Sequence, residues 1–289
     1  MANPSLREKL AAKDFVLAPG IYDGLSALVA DKMGFGALYM TGYGTSASLL
    51  ARPDSGYLTA THMADRVRTI CSAVDTPLIA DADTGFGGPI NVEAAVIDYE
   101  RGGASGIQLE DQVFPKRCGH TKNREVIARD DAVVKIKMAA DARASKDFLI
   151  VARTDAYASH GLDECFARAD AFLEAGADIL FIESPAREDE LVAIGEKFKG
   201  AWLLANMVEG GTTPIMSNAE LQALGFAMAI YPVTGLATAA EALTQVYAGL
   251  QQRGAIEGPR MEFADLNKLI GFERIWELDA ALGAAKSGD

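Results

Sequence analysis

Cysteine and histidine are scarce in this chain of 289 residues, which has only three of each. Three cysteines are too few for a secreted scaffold held by disulfides, and their odd number fits a reducing compartment. Cys71 and Cys165 fall in helical patterns, where we expect them to be small buried side chains. No cluster of histidine and cysteine indicates a zinc site, so a metal site would have to use oxygen ligands.

Long apolar runs are also missing. No run reaches the roughly 18 residues that a membrane-spanning helix needs. The opening segment, MANPSLREKLAAKDF, lacks the apolar stretch of a secretion signal. We therefore expect a cytoplasmic protein without a membrane partner.

Basic residues are outnumbered, with 27 Lys and Arg against 40 Asp and Glu, and the formal net charge is −13. That sign argues against nucleic acid as a partner, because phosphate backbones select basic surfaces. It does not forbid an anionic substrate, since a metal ion and a few buried arginines or lysines can reverse the potential locally.

Eight short apolar runs are present, and they alternate with helix-period segments. The runs are Val16–Pro19, Ala37–Met40, Pro77–Ala80, Gly106–Leu109, Phe148–Ala152, Asp178–Ile182, Trp202–Ala205 and Ala227–Tyr231. Such continuous runs are typical of parallel strands covered on both faces. The alternation predicts an α/β fold, a (β/α)8 TIM barrel. An open doubly wound sheet is disfavoured because no Gly-x-Gly-x-x-Gly follows the first run.

The helix-period segments end in Gly, a common C-terminal cap, except for the last. The segments are Asp23–Gly34, Asn91–Gly102, Leu162–Gly176, Ala219–Gly225, Ala237–Gly254 and a final pattern over Phe263–Leu282. The final pattern has no strand before it. We expect one barrel domain over 1–289, with a helical extension over 255–289 that caps the barrel or packs on a neighbouring subunit.

At least five of the apolar runs are followed directly by a charged or amide residue, at the point where the predicted strand ends. These residues include Asp81, Asp83, Glu110, Arg153, Glu183 and Asn206. Singly, each is typical of a solvated loop or a helix cap. Together they would meet at the carboxyl rim of a barrel, where TIM-barrel chemistry occurs, and acids that converge there repel unless a cation binds.

The acids define an oxygen-only metal site. Asp81, Asp83 and Glu110, with Asp54, favour Mg²⁺ or Mn²⁺ over Zn²⁺. Mg²⁺ keeps several waters, so some of these acids would act through water. Arg153 can then bind a substrate carboxylate bidentately.

Cys118 lies in a polar stretch after the fourth run, between Arg117 and Gly119 and close to Lys116 and His120. Basic neighbours lower the pKa of a thiol, which favours an acid–base role on a mobile loop. By spacing alone, an unimportant loop cysteine is an equal alternative.

Seven motifs span nearly the whole chain: PGIYDGLSA, YMTGYG, DADTGFGG, LEDQ, KRCGH, VARTDA and ANMVEGGTTP. In these motifs and their order, the chain resembles the isocitrate lyase / phosphoenolpyruvate mutase superfamily. DADTGFG together with KRCGH is highly specific. KRCGH marks the lyase branch, because the phosphonate-forming mutases carry a different sequence at that loop.

The resemblance implies a barrel whose last helix is exchanged between paired subunits, usually in a homotetramer (a dimer of dimers). It implies that Asp81 and Asp83 hold Mg²⁺ (or Mn²⁺), with Glu110 and Asp54 reaching it through water. A small dicarboxylate substrate would contact Thr41, Gly42, Tyr43, Asp81, Gly119, Arg153, Glu183, Asn206 and Pro232. The catalytic set would be Cys118, Tyr39, Tyr43, Lys116, Arg117 and His120, with the Cys118 loop closing over the site.

The implied reaction is cleavage of a carbon–carbon bond. Mg²⁺ chelates the 2-hydroxyl and a carboxylate of the substrate, which lowers the cost of the alkoxide. A base (Tyr39, Tyr43 or a metal-linked acid) removes the hydroxyl proton. The C2–C3 bond then breaks to give a 2-keto acid and an enediolate, which Cys118 protonates while the closed loop excludes water.

Sequence differences from other members of the superfamily restrict the class of substrate that we expect. Isocitrate lyases proper are much longer. The 2-methylisocitrate lyases usually show Ser-Gly-Gly-Gly where this chain has Thr41-Gly42-Tyr43-Gly44, and arginines near Ala237 and Ala264, so a dicarboxylate fits better than a tricarboxylate. The pattern is more similar to 2,3-dimethylmalate lyase and petal death protein, which cleave alkylmalates. Oxaloacetate hydrolases of the superfamily typically carry Ser in place of Pro232.

Four alternatives stay open beside an alkylmalate lyase: a 2-methylisocitrate lyase, an oxaloacetate decarboxylase or hydrolase, a phosphonate enzyme of the same superfamily, and an inactive barrel that serves as an oligomeric scaffold.

Overall fold

Eight parallel strands close into a barrel in the computed structural model, which describes residues 5–119, 124–254 and 258–287. The strands are β1 (Val16–Ile21), β2 (Leu38–Met40), β3 (Leu78–Asp81), β4 (Gly106–Glu110), β5 (Leu149–Thr154), β6 (Ile179–Ile182), β7 (Trp202–Asn206) and β8 (Met228–Tyr231). Each strand pairs with the next, and β8 pairs with β1, with Val16 beside Met228. The predicted (β/α)8 barrel is therefore confirmed.

Helices separate the strands along the chain. They are α1 (Leu6–Ala11), α2 (Gly24–Asp31), α3 (Gly42–Thr45), α4 (Ala60–Cys71), α5 (Pro89–Arg101), α6 (Arg129–Ala142), α7 (Tyr157–His160), α8 (Leu162–Glu174), α9 (Glu188–Lys197), α10 (Asn218–Ala223), α11 (Thr234–Arg253), α12 (Phe263–Leu269) and α13 (Phe272–Ser287). A π-helical turn, Ser46–Leu50, continues α3. Of the helices that the structure describes, none is long and apolar enough to span a bilayer.

The strands are apolar on both faces because one face points into the barrel and the other is covered by helices. The inner cluster includes Val16, Tyr39 and Val151, and Leu6 and Leu10 of α1 pack into it. The outer cluster joins the strands to α2, α4, α5, α6, α8, α9 and α10. Helix α1 therefore packs on the amino-terminal end of the barrel, and the carboxyl end is left for the site.

The chain divides into two compact units, 1–236 and 237–289. The first unit holds all eight strands. In the second, the single helical pattern expected over Phe263–Leu282 is wrong, because α12 ends at Leu269 and α13 begins at Phe272. Gly271 adopts φ +90° between them, a left-handed conformation that glycine adopts at no steric cost and that ends a helix. The expected extension boundary at 255 stays a prediction.

Candidate active site

A cavity of about 50 Å³ lies at the carboxyl ends of the strands. It is lined by Tyr39, Thr41, Tyr43, Asp54, Asp81, Cys118, Gly119, Arg153, Glu183, Asn206, Val208, Ile230, Pro232 and Val233. Eleven of these were expected in the site from the sequence, and they come from seven strands or the loops that follow. The other three, Val208, Ile230 and Val233, form an apolar wall beside Pro232.

A buried lysine joins two of the expected metal ligands. Lys116 Nζ lies 2.6 Å from Asp54 Oδ1 and 2.7 Å from Asp83 Oδ1, and all three side chains are at most 7% exposed. Burial by itself would lower the pKa of Lys116, but the carboxylates of Asp83, Glu110, Asp54 and Asp81 outweigh it and hold that pKa well above its usual range. Lys116 is therefore a charged partner of the acids and does not act as a base.

Asp81 is fixed on both carboxylate oxygens. Its Oδ2 accepts from the backbone N–H of Gly42 at 3.1 Å, and its Oδ1 accepts from Asp83 N at 3.0 Å and Gln108 Nε2 at 3.1 Å. Tyr39 donates its hydroxyl to Gln108 Oε1 at 2.6 Å. Burial and the nearby Asp81 hold the pKa of Tyr39 well above its usual range, so Tyr39 acts as a hydrogen-bond donor here.

Glu110 has a buried carboxylate that lacks a hydrogen-bond partner among the described residues. Its nearest cation is Arg153, whose Nε lies 3.5 Å from Oε2. Burial raises the pKa of Glu110 well above its usual range, and burial likewise raises the pKa of Asp83 to about 7. In both cases burial is the main cause, because it disfavours the charged form of a carboxylate.

Arg153 lies at the end of β5 among three carboxylates. It forms two 2.9 Å hydrogen bonds to Asp155, lies 3.3 Å from Glu183 through Nη1, and stacks over the Phe181 ring at 5.2 Å. Asn206 donates to Glu183 Oε2 at 3.1 Å. The guanidinium is thus held in one orientation at the cavity wall.

The Cys118 loop lies against this arginine. Gly119 O accepts a 2.7 Å hydrogen bond from Ser184 Oγ, and a Cβ at Gly119 would lie 2.4 Å from Arg153 Nη2. The backbone of Arg117 exchanges two hydrogen bonds with the Gln112 amide. Arg117 lines a separate cavity together with Gln112 and Phe114, and it is not among the residues that line the site cavity. His120, also expected in the catalytic set, lies outside the described residues.

The described acids do not form a ready-made metal cluster: no group of three or more His, Cys, Asp or Glu side chains among them has metal-holding geometry. The region nevertheless fits a divalent cation. Six buried carboxylates, those of Asp54, Asp81, Asp83, Glu110, Asp155 and Glu183, face three cationic side chains, Lys116, Arg124 and Arg153. Together with the Glu110 oxygens, which accept no hydrogen bond from the described residues, this excess of acid is suited to a hard cation.

Comparison with known proteins places the chain in a family. The family model described as phosphoenolpyruvate phosphomutase matches residues 6–251. The chain is 47% identical over 277 residues to 2,3-dimethylmalate lyase of Eubacterium barkeri, covering 95% of this chain and 96% of that protein. The chain belongs to the PEP mutase/isocitrate lyase superfamily.

Solved structures agree with this superfamily assignment. A crystal structure of 2,3-dimethylmalate lyase matches with TM-score 0.91 and 39% identity, covering 97% of this chain and 95% of that one. Oxaloacetate acetylhydrolase in complex with the inhibitor 3,3-difluorooxalacetate matches with TM-score 0.93 and 37% identity, covering 96% of both chains. The resemblance seen in the motifs is therefore confirmed, and so is the prediction that the chain is an enzyme of this superfamily.

Several contributors to the superfamily site were not expected from the sequence. Gln108 links Tyr39 to Asp81, and Asp155 holds Arg153. Ser184 binds the Cys118 loop and adopts φ +60°. Asp155 stands two residues after Arg153 in the VARTDA motif, so its place on the same strand face was open to prediction. The hydrogen bond from Ser184 to Gly119 joins segments that are far apart in the chain, and no sequence pattern predicts it.

Proposed function

We propose that this enzyme is a Mg²⁺-dependent carbon–carbon lyase that cleaves a 2-alkylmalate, such as 2,3-dimethylmalate, to pyruvate and a carboxylate. The observation that carries the proposal is one cavity lined by three kinds of functional group. Cys118, the pair Arg153 and Asn206, and the acids Asp54 and Asp81 all line this cavity. A proton donor, a carboxylate clamp and a cation site are what this cleavage requires.

A dicarboxylate with an alkyl group fits the cavity best. Arg153 is the one guanidinium lining it among the residues that the structure describes, so a third carboxylate, as in 2-methylisocitrate, has no further arginine there. Val208, Ile230, Pro232 and Val233 give an apolar wall that favours burial of an alkyl substituent. Pro232 also offers no hydroxyl, which disfavours the oxaloacetate hydrolase alternative.

The metal would be held by Asp81 and Asp83, with Glu110 and Asp54 reaching it through water. Mg²⁺ or Mn²⁺, when bound, would act as a Lewis acid on the 2-hydroxyl and the neighbouring carboxylate. Gly42 presents its backbone N–H to Asp81, which leaves Thr41 and Tyr43 to contact the substrate carboxylate beside it. Lys116 orients Asp54 and Asp83 through its ion pairs with both carboxylates.

The remaining residues carry out the bond cleavage. Arg153 and Asn206 orient the carboxylate of the forming keto acid. Tyr43 or an acid of the cluster takes the hydroxyl proton, because Tyr39 is committed to Gln108. The electron pair of the C2–C3 bond moves onto the leaving carboxylate fragment as its enediolate. The Cys118 thiol gives its proton to the α-carbon of that fragment, so 2,3-dimethylmalate yields pyruvate and propionate.

A panel of substrates tests this proposal. Purified enzyme with Mg²⁺ is assayed for 2-keto acid release from 2,3-dimethylmalate and 2-methylisocitrate and for oxalate formation from oxaloacetate, each with and without EDTA. We expect pyruvate from 2,3-dimethylmalate and its loss with EDTA. Faster turnover of 2-methylisocitrate would favour the tricarboxylate alternative, and turnover of oxaloacetate alone would favour the hydrolase.

We also propose a homotetramer with exchanged terminal helices. The support is the apolar surface of α12 and α13, where Phe263 is 76%, Trp276 55% and Ile275 50% exposed. Apolar side chains clustered on a surface mark interaction sites. A second copy of this chain is the proposed partner.

A further inference from the structure

One carboxylate holds the substrate-facing arginine. Asp155 is fully buried, and its Oδ2 and Oδ1 accept from Arg153 Nε and Nη2, both at 2.9 Å. Paired, in-plane bonds of this kind fix both the position and the rotation of a guanidinium. Burial alone would raise the pKa of Asp155, but Arg153 and then Arg124 outweigh it and hold that pKa below its usual value. Asp155 therefore stays ionised.

The same carboxylate holds the Cys118 loop. Arg124, which stands six residues after Cys118, donates from Nη1 to Asp155 Oδ1 at 3.1 Å, and the two side chains are 4% and 0% exposed. Gly119 packs against Arg153 Nη2. The loop thus meets the Arg153–Asp155 pair at two points after Cys118, first through Gly119 and then through Arg124.

Asp155 is itself held rigidly from behind. Its backbone N–H donates to Asp111 Oδ1 at 2.8 Å, and Thr154 Oγ1 donates to Asp111 Oδ2 at 2.7 Å. Asp111 in turn pairs with Arg168 at 3.0 Å. This support places Asp155 before the loop or the substrate arrives, as pre-organised sites require.

We infer that Asp155 is a positioning residue that couples substrate binding by Arg153 to placement of the Cys118 thiol. Because Arg153 and Arg124 share the Asp155 carboxylate, loss of its charge should disturb both substrate binding by Arg153 and the position of the Cys118 loop. Loss of Arg124 removes the bond between the loop and Asp155 but leaves both bonds from Arg153 to Asp155 in place, so it should disturb the placement of Cys118 more than the binding of substrate by Arg153. The inference rests on the proposed lyase function, in which Arg153 binds the substrate and Cys118 donates the proton.

The test compares Asp155→Asn and Arg124→Met with the wild-type enzyme in two measurements. Calorimetry with Mg²⁺ gives the affinity for oxalate, a small dicarboxylate that Arg153 can clamp. Peptide mass spectrometry gives the rate at which iodoacetamide alkylates Cys118 when oxalate is saturating. We expect D155N to weaken oxalate binding about tenfold or more, as loss of a supporting partner does in metal sites, and to speed alkylation. R124M should speed alkylation with a much smaller effect on oxalate affinity.

The chain offers a matched control at the other end of the barrel. Asp178 also accepts from two arginines, Arg7 at 2.6 Å and Arg143, and stands just before β6. D178N therefore removes an equivalent carboxylate and lowers stability without touching the site. We expect its oxalate affinity and Cys118 alkylation rate to match those of the wild type.

The outcomes separate the two proposals. Wild-type enzyme that neither binds oxalate nor releases a keto acid would refute the lyase function. Wild-type enzyme that does both, with D155N behaving like D178N in both measurements, would refute only the role of Asp155. If D155N does not fold, R124M decides: Cys118 alkylation as slow as in the wild type would overturn the coupling.

Discussion

Gly42 has no room for a side chain. A Cβ there would lie 2.6 Å from Asp81 Oδ2 and 3.3 Å from Asp83 Oδ1. Both acids are proposed metal ligands, so even one methyl group would displace them or the backbone N–H that binds Asp81. Gly42 of the YMTGYG motif therefore packs directly against the two acids of the DADTGFGG motif.

We expect Gly42→Ala to lower kcat/KM for 2,3-dimethylmalate by about a hundredfold, since a displacement of roughly 1 Å at a reacting centre can cost that much. The matched control is Gly24→Ala, because a Cβ at Gly24 meets nothing within 4 Å. G24A should keep full activity. Equal activity of the two variants would contradict the close approach at Gly42.

The cysteines differ in how readily they can react. Burial raises the pKa of Cys71 to about 11 and of Cys165 to about 12. The thiolate is the reactive form, and its fraction grows about tenfold per pH unit below the pKa.

We therefore expect alkylation of Cys71 by iodoacetamide to be slow at pH 8 and to speed up about tenfold per pH unit towards pH 10. Cys118, which lines the cavity, should be the main site of modification at pH 8. Quantitative peptide mass spectrometry across this pH range checks both. A Cys71 rate independent of pH would show that the pKa is not raised.

At the scale of elements, the turn after β3 has an unusual backbone. Asp83 and Phe86 adopt φ of 49° and 60° although neither is glycine, and Gly85 adopts 83°. Left-handed conformations of non-glycine residues cost about 1–2 kcal/mol each. Lys135 of α6, half-buried, donates to the Thr84 carbonyl at 2.9 Å and so supports the turn that carries Asp83.

Removing that support should loosen the metal site. We expect Lys135→Met to weaken Mg²⁺ binding by about tenfold, the usual effect of losing a group that orients a ligand. Lys137→Met is the control, because Lys137 stands on the same helix and forms a surface ion pair with Asp141 at 2.9 Å, away from the turn. Calorimetric titration of Mg²⁺ compares them, and equal affinities would refute the supporting role of Lys135.

The strands could be predicted from the sequence because burial on both faces leaves continuous apolar runs. The predicted run Gly106–Leu109, for example, falls within β4, and the charged residue that follows it, Glu110, is the last residue of the strand. Helix α6 left a weaker signal, because its buried face is built from small residues such as Ala132 and Ala139. The break at Gly271 could be missed because the apolar pattern continues on both sides of it.

The candidate site could be predicted in part. Residues that follow parallel barrel strands meet at the carboxyl end of the barrel, which predicted that Asp81, Asp83, Glu110 and Arg153 lie close together. The structure places them at that end. The pairing of Lys116 with Asp54 and Asp83 depends on how a loop folds back, which spacing does not encode. The shared use of Asp155 by two arginines is hidden for the same reason.

At the scale of the whole molecule, α13 presents apolar side chains that a single chain leaves exposed. Phe272 and Trp276 contact each other with ring centroids 6.0 Å apart, and they are 41% and 55% exposed. Burying such side chains contributes about 1.5–3 kcal/mol each, which favours association with a second copy.

We expect light scattering to give the mass of a tetramer for the wild-type protein and a smaller assembly for Trp276→Glu. Glu277→Gln on the same helix is the control, since the Glu277 side chain is 69% exposed and already polar. A monomeric wild-type protein, or a tetramer that survives W276E unchanged, would contradict the role of this surface.

The most direct measurement for the whole account is the effect of Cys118→Ser on two quantities at once. These are the rate of pyruvate release from 2,3-dimethylmalate with Mg²⁺, and the affinity for oxalate under the same conditions. In this account the Cys118 thiol protonates the carbon of the leaving fragment but takes no part in binding the metal or the substrate. We therefore expect a large loss of turnover with oxalate affinity nearly unchanged. Unchanged turnover, or equal losses in both quantities, would contradict it.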